Sequence, residues 1–152
     1  MMNKKILMGL AASCAMGLSS TVWAAGTDFG TPEEAKMMLE KAVAAVQADE
    51  AKALEMFNKG EGGFKEKDLY VFCGGPDGNF TAHPKLVGKS LKDLKDKTDK
   101  PLGEEIYKGA KEGEIVEVAY MWPRPGEEKP SEKVAYVAKI GDQICAVGYY
   151  KP

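Results

Sequence analysis

Histidine is almost absent from this sequence, and the motifs of the common hydrolases are missing. The 152 residues contain a single histidine, His83, so acid–base chemistry by a histidine would lack a second member. No GxSxG, HExxH or cysteine–histidine signature occurs, and the many carboxylates show no pairing that their spacing reveals. These absences argue against an enzyme, and we predict a protein without catalytic residues.

Apolar runs long enough to cross a membrane are missing as well. The one sustained apolar run, Ile6–Leu18, follows a cationic start with Lys4 and Lys5 and precedes small residues that end at Ala24. About a dozen apolar residues are too few for a bilayer, which takes about 20, and the arrangement is typical of a secretory signal peptide. We predict that residues 1–24 are removed on export, which leaves residues 25–152 as one periplasmic domain.

Cysteine is scarce, and its spacing excludes two kinds of site. The sequence has three cysteines, none of them arranged as a CxxC redox centre or a CxxCH haem site. Lipidation of Cys14 is disfavoured because Ala11 occupies the position where a lipobox normally has leucine. For Cys73 and Cys145, a disulfide, two buried thiols and a metal site shared with His83 all stay open at this point. Nothing in these spacings calls for a cofactor, and none is predicted.

Charge of one sign is not concentrated anywhere in the chain. Loss of the two lysines in the signal peptide leaves 21 − 2 = 19 basic residues against 23 acidic ones, a net charge of −4. Lysines and acids are interspersed, so no basic stripe exists for a nucleic acid and no second apolar stretch exists for a membrane. The remaining 152 − 24 = 128 residues are enough for one soluble domain with its own core.

Helix signals come first along the mature chain. Thr31-Pro32-Glu33-Glu34 supplies a cap, a proline at the first helical position and a capping box. The following helix should have one apolar stripe, formed by Ala35, Met38, Leu39, Ala42 and Val46. Asp49 is placed to cap a second, shorter helix that ends at Gly60, and Pro101–Gly113 has the pattern of a further helix.

Strand signals dominate the rest and predict an α+β fold. Leu69–Cys73 and Asn79–His83 flank a turn rich in glycine and proline, which predicts a β-hairpin. Three further strands are predicted at Ile115–Trp122, Lys133–Ile140 and Gln143–Tyr150. Helices, a hairpin, a helical crossing and then a three-strand meander indicate a single antiparallel sheet.

A series of short motifs between Thr31 and Tyr150 resembles the single Cache domain family in residue type and spacing. Each motif is weak alone, but their number and order are specific. They are Asp68-Leu69-Tyr70-Val71-Phe72, Asp77-Gly78, Ala82-His83-Pro84, Leu86-Val87-Gly88-Lys89, Asp96, Tyr120-x-Trp122-Pro123-x-Pro125-Gly126, Lys133-x-x-Tyr136-Val137 and Val147-Gly148-Tyr149-Tyr150.

The resemblance implies a PAS-like fold and a ligand. It implies a long N-terminal helix behind a five-stranded antiparallel sheet ordered 2-1-5-4-3, with a small organic ligand, frequently a short carboxylate, on the other face. Two departures concern Thr98-Asp99-Lys100, where the family usually has glycine, and the last strand, which has Cys145 near the place of a common tryptophan. Asp99 tolerates the left-handed backbone conformation that a glycine would supply.

The same strand order implies a disulfide. The first and last strands are antiparallel neighbours in the family, and Cys73 ends the first while Cys145 lies near the start of the last. Opposed residues on such strands are close enough for a disulfide. We predict a Cys73–Cys145 bond that closes a loop of 145 − 73 = 72 residues and stabilises the fold by roughly 4 kcal/mol.

Six residues are candidates for ligand binding, and the resemblance supports the placement of two of them, His83 and Lys133. His83 is placed near the pocket, where its imidazole can meet a carboxylate, although from the sequence alone it is a structural hydrogen-bonding residue. Tyr120 and Trp122 share a strand face and can either wall a cavity or form ordinary core. Lys133, at the expected pocket mouth, can anchor an anion, whereas taken alone it is a solvated charge.

The other two candidates are less well placed. Strict alternation puts Tyr136 on the opposite strand face from Lys133, so the two line one pocket only if a β-bulge intervenes. Arg124 lies in the charged loop after Trp122 and is the weakest of the six.

The function expected from the resemblance is a periplasmic binding or sensing module for a small organic molecule, of the short carboxylate class. The chain resembles the small stand-alone exported members, so we expect no transducer of its own and a separate membrane protein to receive any signal. The alternative is a structural or interaction protein with a vestigial pocket, forming a homodimer through the helix that begins at Pro32.

Overall fold

The structure is a computed structural model that describes residues 28–152. The predicted signal peptide and Cys14 therefore lie outside the described residues. In chain order the elements are α1 (Pro32–Ala48), α2 (Glu50–Lys59), β1 (Lys65–Glu66), β2 (Leu69–Gly74), β3 (Phe80–Ala82), α3 (Leu102–Gly109), β4 (Val116–Pro123), β5 (Pro130–Ile140) and β6 (Gln143–Tyr150). Over residues 28–152, no helix is both long and apolar enough to cross a membrane.

Side-chain caps set the length of the N-terminal helices. Thr31 Oγ1 accepts from Glu34 N–H at 3.2 Å and Glu34 Oε2 accepts from Thr31 N–H at 2.9 Å, which completes the predicted capping box. Asp49 ends α1 in an extended conformation and caps α2 through Lys52 N–H at 3.1 Å. Because of this break, the expected long helix is instead a 17-residue helix followed by a 10-residue one.

All pairs between the named strands are antiparallel, which confirms the α+β fold class. The order of the sheet is β1-β2-β6-β5-β4, and β3 pairs with β2. The two-residue strand β1, which the sequence did not indicate, makes the order differ in detail from the expected 2-1-5-4-3. The remaining five strands follow that order, since β3 and β6 lie on either side of β2.

The two faces of the sheet bury different cores. The back face packs against α1, whose predicted apolar stripe from Ala35 to Val46 is buried there together with Val71, Val134 and Val147. The front face carries Phe72, Ala135, Val137 and Ala146 and is covered by α3 and the segment that precedes it. Because side chains alternate along β5 and β6, each strand supplies both cores.

The disulfide links the two central strands of this arrangement. Cys73 and Cys145 are directly opposed in the β2–β6 ladder and bonded to each other, with a Cα–Cα distance of 4.1 Å. The predicted pairing is confirmed. With both sulfurs bonded, neither is free to join His83 in a metal site, and residues 28–152 contain no group of three acidic, histidine or cysteine side chains able to hold a metal ion.

A buried aspartate attaches the crossing segment to the edge strand β4. Asp96 Oδ1 accepts from the N–H groups of Thr98 and Lys100, and Asp96 Oδ2 accepts from Met121 N–H at 2.9 Å. Burial alone would raise the pKa of Asp96, but these hydrogen bonds, the one from Met121 first, lower it to about 2. Asp99 has a φ of 64°, so the turn does survive with aspartate at the left-handed position.

We expect Asp96→Asn to destabilise the fold by about 1–3 kcal/mol at pH 7, because an amide NH₂ would replace the oxygen that accepts from Met121 N–H. The folded pKa of Asp96 is lowered from 3.8 to about 2, so its stabilisation is complete above about pH 4 and is lost as the pH falls towards 2. Urea unfolding at several pH values measures this. Asp99→Asn, an exposed substitution with the same charge change, is the control, and equal losses in both variants would contradict the assignment.

Candidate ligand-binding site

Two neighbouring cavities lie on the front face, near the ends of β2, β4 and β6. The inner cavity has a volume of about 20 Å³ and is lined mainly by aromatic and aliphatic side chains. The outer cavity, of about 500 Å³, opens towards residues 84–86 and the loop after β4. Both are lined by Tyr70, His83, Leu86 and Trp122. An inner volume of this size holds about one water molecule, so a ligand must enlarge it.

Lys133 is a buried charged side chain that packs against Tyr70 and Tyr150 of the outer cavity wall but lines neither cavity itself, so it is not at the pocket mouth where it was expected. It lies on β5 directly opposite Tyr120 of β4 and Tyr150 of β6, and it is only 1% exposed. Its Nζ lies 4.7 Å from the ring centres of both Tyr70 and Tyr150, and 3.5 Å from Tyr70 Oη. Among residues 28–152, no carboxylate lies within ion-pair distance of it.

Gly148 provides the space that Lys133 occupies. A Cβ at Gly148 would lie 2.7 Å from Lys133 Cε and 3.1 Å from Tyr120 Oη. Any larger residue there would displace the ammonium or the phenol. The glycine of the Val147-Gly148-Tyr149-Tyr150 motif is therefore explained by side-chain packing on the front face, since its φ is not in the left-handed region.

Burial controls the charge of these groups. It lowers the pKa of Lys133 to about 8, although the charge of nearby Asp68 acts in the opposite direction. Burial also raises the pKa of Tyr70 to about 12 and that of Tyr120 well above its usual range. Both phenols therefore keep their protons and can donate hydrogen bonds. Tyr150 Oη already donates to Pro123 O at 2.6 Å.

Asp68 is the acidic residue whose negative charge raises the pKa of Lys133, against the effect of burial. It is 7% exposed, and its Oδ1 accepts from Gly30 N–H at 2.6 Å. Its other oxygen, Oδ2, is buried without a hydrogen-bond partner among the described residues. Asp68 thus holds the chain just before α1 against the start of β2, and its charge partly offsets that of Lys133.

His83 makes structural hydrogen bonds and also lines both cavities. Its Nδ1 accepts from the N–H groups of Lys85 and Leu86 at 2.9 and 3.1 Å, which orders the turn after β3. Burial lowers the pKa of His83 to about 4, and the positive charges of Lys133 and Lys85 act in the same direction. The imidazole is therefore neutral with its proton on Nε2, so it lines both cavities as a hydrogen-bond donor.

Tyr120 and Trp122 form one wall of the inner cavity, as the shared strand face predicts. Their ring centres lie 6.3 Å apart, and the planes of the two rings are inclined by 68°. Tyr120 is buried and Trp122 half-buried, with Lys97 Nζ 5.2 Å from the Trp122 ring. These two rings present apolar surface in the same cavity as the hydrogen-bond donors Tyr70 and His83.

Arg124 lies at the rim of the outer cavity. Its guanidinium packs between the rings of Phe29 and Tyr150, at 4.4 and 4.9 Å, and its Nη2 donates to Lys151 O at 3.1 Å. It therefore joins residues near both ends of the described chain. Arg124 lines the outer cavity and not the inner one.

Tyr136 is the candidate that the structure does not bring to this site. The β5 ladders with β4 and β6 run without a bulge, so Lys133 and Tyr136 point to opposite faces. Tyr136 packs on the back face against Tyr149, with ring centres 5.6 Å apart.

Three residues of the site were not among the sequence candidates, namely Asp68, Tyr70 and Tyr150. For Tyr150 a signal was present, because the tight turn Gly141-Asp142 pairs Ile140 with Gln143 and hence Lys133 with Tyr150. Tyr70 alternates with Phe72 on β2, but its proximity to Lys133 depends on the β2–β6 register, which no local pattern indicates.

Comparisons with known proteins agree with the fold. A family model described as a Cache domain matches residues 35–150. A solved structure of a Cache chemosensory domain, studied for carboxylic acid recognition, aligns with a TM-score of 0.59 and 22% identity, covering 79% of this chain and 88% of that one. The periplasmic sensor domain of a chemotaxis protein aligns with a TM-score of 0.58 and 22% identity, covering 79% and 90%. No curated protein matches in sequence.

Proposed function

Since the chain belongs to the Cache domain family, we propose that it is a sensory module outside the cytoplasm that binds a short carboxylate on its front face. The observation that carries this proposal is the burial of the Lys133 ammonium among aromatic rings, without a carboxylate partner in residues 28–152. A buried ammonium whose charge Asp68 only partly offsets is unfavourable in the empty protein and becomes more favourable when an anion binds beside it.

The surrounding groups suit an acid with a small apolar end. Lys133 Nζ, Tyr70 Oη and the neutral His83 Nε2 are donors that can converge on a carboxylate. Tyr120 and Trp122 would exclude water from the apolar end. In this arrangement the acid group lies between the two cavities, near the Tyr70 ring that lines both.

An extracytoplasmic location is supported by two independent features. The Cys73–Cys145 bond is of a kind that persists in oxidising compartments. A structural relative at 22% identity is a periplasmic sensor domain. Export by removal of residues 1–24 remains a prediction, and N-terminal sequencing or intact mass of the secreted protein tests it.

A thermal-shift screen is the experiment that tests the ligand class. We expect acetate, propionate, lactate or pyruvate to raise the melting temperature, and matched chloride salts or small amines to have no effect. A ligand at 100 times its dissociation constant adds about 2.7 kcal/mol of stability, which is readily detected. Stabilisation by amines instead of acids would overturn the proposal. NMR of the bound acid after incubation shows whether it stays unchanged, as a binding module requires.

The small inner cavity favours one alternative. At about 20 Å³ it is filled by the protein's own side chains, as in a structural or interaction protein with a vestigial pocket. Met37 is 61% exposed on α1, beside a shallow groove that includes Lys41 and Leu69. If no acid stabilises the protein and it sediments as a dimer, this alternative replaces the first.

A further inference from the structure

We propose that Lys133 condenses reversibly with the carbonyl group of a short 2-oxo acid bound in this site, forming an imine. The inference rests on the proposed function, because the same site must first admit an acid. It goes further by assigning a covalent step and by naming the ligand class that would use it.

The position of Lys133 distinguishes it from the other lysines. It is the one lysine that is buried among residues 28–152. Its Nζ contacts two tyrosine rings and one phenol oxygen, and no carboxylate pairs with it. A lysine in an apolar, water-poor environment is the usual setting for an imine-forming amine.

The site supplies both access and a proton carrier. Tyr70 and Tyr150, which flank Nζ, also line the outer cavity, so displacement of either ring opens a path from it. Tyr70 Oη lies 3.5 Å from Nζ and carries its proton, because burial raises the pKa of Tyr70. The neutral His83 lines both cavities, where it can hold the carboxylate, and Tyr120 lines the inner cavity, where it can contact the apolar end of the acid.

The chemistry balances without an oxidant or a reductant. The Nζ lone pair attacks the carbonyl carbon, and the carbonyl π electrons move to oxygen, which takes a proton to give a carbinolamine. The nitrogen gives up its first proton as the carbinolamine forms, the hydroxyl then takes a proton and leaves as water while the C=N bond forms, and the resulting iminium gives up its second proton to leave the imine. The net reaction is amine plus 2-oxo acid giving imine plus water, and Tyr70 Oη is placed to pass the protons.

The free-amine fraction sets the expected selectivity. An exposed lysine with a pKa near 10.5 is almost fully protonated at pH 7.5, whereas a pKa of about 8 leaves a substantial free fraction at Lys133. The ratio of the two fractions is roughly 200 in the empty protein, and it falls to about 30 if the bound acid raises the pKa of Lys133 by about one unit. Because a less basic amine is also a weaker nucleophile, we expect Lys133 to react about 10-fold faster or more than any exposed lysine.

Reductive trapping tests the step. The purified protein is incubated with pyruvate and cyanoborohydride, and the reduced adduct is located by peptide mass spectrometry. We expect one adduct, on Lys133, whose formation is slowed by propionate, an acid of similar size without a keto group. Lys139→Met, an exposed lysine on the same strand, should behave like the wild type, and Lys133→Met should form no selective adduct.

The outcomes separate this inference from the proposed function. If pyruvate and propionate both stabilise the protein but no selective adduct forms at Lys133, the imine is excluded and acid binding stands. If neither acid stabilises the protein, the proposed function fails as well. Adducts spread evenly over exposed lysines, equal in the wild type and Lys133→Met, would overturn the inference, and circular dichroism of each variant establishes that it is folded.

Discussion

Lys133→Met is expected to give a protein that is more stable than the wild type when empty and no longer responds to short carboxylates. Burial lowers the pKa of Lys133 from 10.5 to about 8, so the ammonium disfavours the folded state by about 3 kcal/mol at neutral pH. Methionine fills a similar volume without this charge. Loss of the favourable interaction with Asp68 reduces the gain, and we expect a net stabilisation of about 1–3 kcal/mol.

The pH dependence of this difference has a definite sign. A folded pKa of about 8 against an ordinary 10.5 means that the unfolded chain binds more protons between these values, so wild-type stability rises with pH across this range. The advantage of Lys133→Met should be largest below pH 8 and should shrink towards zero near pH 10.5. Urea unfolding at pH 7 and pH 10 measures it, and Lys139→Met should differ little from the wild type at either pH.

The same substitution should remove ligand binding. Truncating one partner of a buried charge pair costs about 2–5 kcal/mol, so affinity for a carboxylate should fall by about 30-fold or more. A variant that is more stable yet does not bind would identify Lys133 as a residue kept for binding at the expense of stability. Retained binding in Lys133→Met, or a large loss of stability, would show that the lysine has a structural role instead.

Breaking the Cys73–Cys145 bond is the second change with a large expected effect. The bond closes a loop of 72 residues, and on the chain-entropy account its loss costs about 4 kcal/mol. Domains of this size have total stabilities of about 5–15 kcal/mol. Cys73→Ala combined with Cys145→Ala should therefore unfold at a much lower urea concentration than the oxidised wild type.

Ligand binding should respond differently from stability in this experiment. Both cysteines are buried in the back-face core, whereas Lys133 and Tyr70 act on the front face. The double variant, while still folded, should keep its affinity for the acid to within a few-fold. Reduced wild type serves as the matched comparison, because it keeps both sulfur atoms. Equal urea midpoints for oxidised and reduced protein would contradict the stabilising role.

The parts of the fold that were predictable depend on local chemistry or on short connections. The capping box at Thr31 and the break at Asp49 each follow from side chains within a few residues. The register of the final hairpin follows from the turn at Gly141. Strict alternation along β5 put Lys133 and Tyr136 on opposite faces, and without a bulge in this strand they are. The disulfide followed from the strand order that the resemblance implied.

The rest of the site depends on contacts between distant parts of the chain. The link between Gly30 and Asp68 spans 38 positions, and the contact of Tyr70 with Lys133 spans 63. No periodicity within one segment indicates such contacts. The backbone hydrogen bonds to His83 also required the actual path of residues 83–86, since loop conformation is not encoded in alternation.

The ionisation of Lys133, followed by NMR through its ε-carbon, tests the central claim most directly. Lys133→Met identifies the signal by its absence. We predict a Lys133 pKa of about 8 in the empty protein. Saturating propionate should raise this pKa by about one unit or more, because a carboxylate beside the ammonium favours its charged form. An ordinary lysine pKa in the empty protein, or a pKa unchanged by a bound acid, would contradict the account.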